Sequence, residues 1–68
     1  MNKQLLRGIL RQNKVRQSDL ANILELSENS VSHKINENGS EFTRSEILKI
    51  KTRFELSDRE VVAIFFED

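Results

Sequence analysis

The sequence predicts an all-α chain, a compact domain of five short helices. Three observations predict it. The 68 residues contain no proline, and strand-like alternation is absent. Apolar residues recur at helical spacing from end to end. Helix-start signals recur five times in one frame, a capping position flanked by a pair of apolar residues.

The first helix spans roughly 2–13. Asn2 opens it between Met1 and Leu6. Its buried face is expected to carry Leu6, Ile9 and Leu10, with Leu5 alongside. Gly8 within it costs about 1 kcal/mol relative to alanine. That glycine either permits a close crossing or is tolerated.

The second helix spans 17–25. Leu20, Ala21 and Leu24 fall on one face, and Ala21 is small where a crossing helix needs close approach. Its capping position holds Arg16, with Asp19 in the first turn. A serine or threonine there would cap better by about 1 kcal/mol. The positive charge also opposes the helix dipole. A locally poor choice points to function: Arg16 beside free amides is placed to meet a phosphate. The plainer alternative is a solvated arginine whose stem covers apolar surface.

The connection Glu25–Leu26–Ser27 carries one apolar residue, so it is expected to tuck inward. Ser27 then opens a third helix over 28–36, with Val31 and Ile35 facing in. Glu28, Asn29, Ser32 and His33 remain on its outer face. The longest connection, 37–41, contains Asn38–Gly39, a turn signal.

Two full capping boxes follow. Thr43–Arg44–Ser45–Glu46 starts a helix over 44–54, stapled by Phe42 and Ile47 and burying Ile47, Ile50 and Phe54. Ser57–Asp58–Arg59–Glu60 starts the last, over 58–66, stapled by Leu56 and Val61. Val61, Ile64 and Phe65 form its core stripe, while Val62 and Phe66 lie on a neighbouring face.

Composition narrows the function. One domain of this size buries only about 60% of its unfolded surface, so a sizeable pocket is not expected. No cysteine and a single histidine argue against a metal site. No phosphate loop or nucleophile–base spacing suggests catalysis, so an enzyme is the least expected class. Neither a cofactor nor a small-molecule ligand is expected. Every apolar run is too short for a membrane span or signal peptide, and the expected compartment is the cytoplasm.

Net charge is zero, which argues against nucleic acid. The distribution argues the other way. Residues 1–34 hold six cations against three carboxylates, a net +3, and the remainder carries −3. The alternative is ordinary charge scatter.

Residues 17–36 form two short amphipathic helices joined at a tight break, the pattern of a helix-turn-helix. The stretch resembles the XRE-type helix-turn-helix family, the phage repressor and Cro-like proteins. The resemblance rests on Gln17, Leu20–Ala21, Leu24, Leu26–Ser27, Val31–Ser32 and Lys34–Ile35–Asn36 leading to Gly39. It extends weakly across the chain, through Phe42–Thr43, Glu46–Ile47 and Ile64–Phe65–Phe66. Two positions depart from the family pattern. Glu25 stands where a turn glycine is usual, at a cost on the order of 1 kcal/mol. Lys34 stands where an apolar residue is frequent.

The resemblance implies a lambda-repressor-like domain and a phage or prophage transcriptional regulator that binds operator DNA as a homodimer. Glu28, Asn29, Ser32 and His33 are the candidate base readers. Asparagine can pair bidentately with adenine, and glutamate can accept from cytosine N4. Glu28 has a structural alternative, as a carboxylate favoured by the helix dipole. Arg16, Gln17, Lys34, Asn36, Asn38, Ser40 and Arg44 are the candidate phosphate contacts. In the family the residue matching Gln17 touches a phosphate and buttresses the reading helix. The loop after that helix lies along the backbone. Val62, Phe65 and Phe66 are the candidate dimer interface. The rival reading is a protein-interaction module of the same fold that binds a repressor or other regulator.

Overall fold

The computed structural model describes residues 1–67. Five α-helices follow in order: α1 Lys3–Gln12, α2 Gln17–Leu24, α3 Glu28–Ile35, α4 Arg44–Arg53 and α5 Asp58–Val61. The described residues contain no strand. The first four helices lie within one residue of the expected bounds. The fifth does not keep the expected α-helical form over 58–66. After one turn it widens into a π-helical segment, Val62–Phe66. There the Ile64 carbonyl accepts from the Asn2 amide at 2.6 Å, tying the start of α1 to the end of the fold.

Capping chemistry starts four of the five helices. Asn2 Oδ1 accepts from the Leu5 amide at 3.1 Å, and Ser27 Oγ accepts from the Ser30 amide at 3.1 Å. Thr43 with Glu46, and Ser57 with Glu60, close both halves of a capping box. Arg16 has no acceptor to offer, so α2 keeps only the return half, the Arg16 amide donating to Asp19 Oδ2 at 2.9 Å.

The ends of α1 to α4 share one device. Lys14, Glu25, Glu37 and Glu55 all adopt left-handed φ, between 52° and 59°. The next residue's amide then reaches back over the last turn: Val15 to Leu10, Leu26 to Ala21, Asn38 to His33 and Leu56 to Lys51. These are Schellman closures without glycine. Glu25 thus makes the tight turn that the departure from glycine made costly.

One core joins the helices. Leu6, Leu20, Val31, Ile35, Ile50 and Ile64 are fully buried, so α1 to α4 and the π-helical segment all contribute. α2 packs on α3 and α4, and α1 packs on the π-helical segment. Several expected core positions sit further out. Ile9, Ile47 and Phe65 are only partly buried, and Leu5 is 44% exposed. Glu46, in contrast, is buried. It makes the expected capping box on α4 from inside the fold, and that burial is what the apolar pattern does not reveal.

Candidate nucleic-acid interface

α3 presents its outer face because Val31 and Ile35 anchor the opposite one. Glu28, Asn29 and His33 are exposed. Ser32 is partly buried, and its Oγ accepts from Asn36 Nδ2 at 3.4 Å. Of the four candidate base readers, three are therefore free-standing and the fourth is engaged within its own helix.

The candidate phosphate contacts divide more sharply. Arg16, Asn38 and Arg44 are exposed, and Gln17 and Ser40 are partly buried. Lys34 is a correction. Its Nζ turns inward and donates to Glu46 Oε1 at 2.9 Å and to the Glu41 carbonyl at 3.1 Å. The two side chains are only 13% and 12% exposed. Lys34 is held by the fold, its side chain largely covered. Asn36 is a second correction. Its amide nitrogen donates to the Ser32 carbonyl at 3.0 Å, and its Oδ1 accepts from Arg7 at 3.4 Å. That side chain links α3 to α1 instead of standing free for a phosphate.

Electrostatics follow the geometry. Burial works to raise the Glu46 carboxyl. Hydrogen bonds from Lys34 and from the Thr43 amide and hydroxyl, with the Lys34 charge, outweigh it and hold the group below the usual range. At the other end of α4, a hydrogen bond and charge from Lys51, 2.6 Å away, lower the exposed Asp58.

Cations gather beside the α2 start. Arg7, Arg11, Lys14, Arg16 and Gln17 line one open groove, floored by Leu10, Val15 and Ile35. Arg7, Arg11 and Lys14 were not among the candidate residues. Arg7 and Arg11, four apart on α1, with Lys14 just beyond its end, were the signal that could have found them.

At the far end of the chain, Phe66 is 68% exposed and Val62 is exposed as well. Phe65 is not free in the same way. It packs edge-on against Phe42, ring centres 5.8 Å apart, within the fold. Leu5 of α1 is likewise exposed, so Val62 and Phe66 are not covered by folding back onto it. Leu48, 53% exposed, adds apolar surface beside Phe66, where Ile47 and Val61 line the same groove. Among the described residues, no helix is long and apolar enough to cross a membrane.

Comparison with known proteins adds no constraint: no family model matches the chain, and neither a curated protein nor a solved structure matches it.

Proposed function

We propose that the protein is a sequence-specific DNA-binding transcriptional regulator, Cro- or repressor-like and of phage or prophage type, acting as a homodimer. α2, the turn at Glu25–Ser27 and α3 serve as its helix-turn-helix. One observation carries the reading. α3 buries Val31 and Ile35 while Glu28, Asn29 and His33 stand exposed along its opposite face. Such a row of short hydrogen-bonding side chains fits the donor and acceptor pattern of a major groove.

Arg16, Gln17, Asn38, Ser40 and Arg44 flank α3 in sequence and supply backbone contacts. Phosphate contacts of this kind fix register, and base contacts select sequence. Val62 and Phe66, joined by Leu48, form the surface for the second copy.

Titration against randomised duplex DNA at two salt concentrations tests the reading. Binding that weakens steeply with salt, with enrichment of one sequence, supports it. The zero net charge favours the rival class, a module that binds a protein regulator. Absence of any salt-dependent duplex binding would favour that rival.

A further inference from the structure

The groove between α1 and α2 gathers cations without a carboxylate among its lining residues. It measures about 570 Å³ and is open to solvent. Four cations line it, Arg7, Arg11, Lys14 and Arg16, and no carboxylate does. Among the described residues, none of the four forms an ion pair. The cations that do pair are Lys34, Lys49, Lys51 and the amino terminus.

This arrangement is unfavourable in isolation. Arg7 and Arg11 stand four apart on α1, a spacing at which like charges destabilise a helix, and Lys14 follows just beyond its end. A local conflict of that kind is expected at a functional site, and a ligand of opposite charge would relieve it. Three of the four cations are arginines, whose planar forks match the oxygens of a phosphate. The groove's open shape suits a row of phosphates better than one enclosed anion. Its position is set by Ile35, which lines it, and by the Arg7–Asn36 hydrogen bond. It therefore borders the carboxyl end of α3.

We infer that this groove seats a length of DNA phosphate backbone outside the base-reading contact, held chiefly by Arg7, Arg11 and Lys14. The inference rests on the DNA-binding reading above and extends its footprint onto α1. The groove then carries sequence-independent affinity, while α3 carries selection.

A charge-matched pair of variants tests it. One is Arg7→Gln, Arg11→Gln, Lys14→Gln. The other is Lys49→Gln, Arg53→Gln, Arg59→Gln, which removes the same charge from α4 and α5. All six side chains are exposed, and thermal melting checks that both variants fold. Affinity for a selected duplex and for a random one is measured across salt concentrations. The groove variant is expected to weaken both duplexes alike. Its salt slope should fall by about 0.9 for each phosphate no longer neutralised, with the ratio between duplexes unchanged. The control should leave the slope nearly as it was. Equal slope changes in both variants would reduce the effect to net charge and overturn the inference. So would an unchanged groove variant beside a parent that binds DNA, an outcome that leaves the DNA-binding reading standing. A parent that binds polyglutamate but no duplex would overturn both.

Discussion

At the scale of single residues, Lys34 and Glu46 decide most. Two ions taken nearly out of water hold each other at 2.9 Å, and Glu46 also accepts from the Thr43 amide at 2.8 Å. Removing one partner leaves the other uncompensated. Lys34→Met is expected to destabilise the fold by about 3–5 kcal/mol, read by chemical denaturation. A loss below about 1 kcal/mol would mean a pair that is effectively solvated. Because the Glu46 pKa lies below the ordinary 4.5, the carboxylate stabilises the fold above that value. That contribution is lost as pH falls through the lowered folded value. Glu46→Gln retains a capping residue at that position but removes the titration, so part of the acid-side decline in melting temperature should disappear with it. Apolar periodicity alone does not reveal the pair, since its partners lie twelve residues apart and neither belongs to a hydrophobic stripe. The left-handed conformations of Glu37 and Glu55 were hidden for a related reason. Glycine is the usual sign of that conformation, and here side chains occupy it. Glu55→Gly should relieve the strain and stabilise by about 1 kcal/mol, raising the melting temperature by about 4–8 °C.

At the scale of elements, the starts were legible and one ending was not. Capping is local chemistry, a side-chain oxygen and an amide three residues on, so Asn2, Ser27, Thr43 and Ser57 declare themselves in sequence. The π-helical widening after Val61 has no local sign. It comes with the Asn2 amide bonded to the Ile64 carbonyl, a contact between the two ends of the fold. On α3, the inward pair Val31 and Ile35 was readable, and so was the exposure of Asn29 and His33. The inward turn of Lys34 was not, because a lysine stem can either snorkel or stand free. α2 offers the sharpest test at this scale. Arg16→Ser supplies the missing cap and should stabilise by about 1 kcal/mol. If Arg16 serves a phosphate, the same change should weaken binding to every duplex alike. Greater stability with unchanged affinity would leave Arg16 as a solvated side chain.

At the scale of the whole molecule, charge and apolar surface are segregated. The amino-terminal half carries the net positive charge and the cationic groove, and the carboxyl-terminal part carries Leu48, Val62 and Phe66 on its surface. In the proposed dimer the apolar end meets its own copy, a self-complementary contact. Two copies of α3 would then stand about 34 Å apart, one turn of DNA. Phe66→Ala should shift sedimentation equilibrium toward monomer and weaken operator binding together. A parent that stays monomeric at high concentration, and binds a palindromic site as one copy, would contradict the dimer. The central claim is that α3 reads bases. It is tested by the selectivity profile of Asn29→Ala beside the parent, on duplexes varied one base pair at a time. The variant should lose about 1–3 kcal/mol on the selected site and relax selectivity at one position, leaving the other positions as they were. Unchanged specific affinity in Asn29→Ala and in His33→Ala would contradict it.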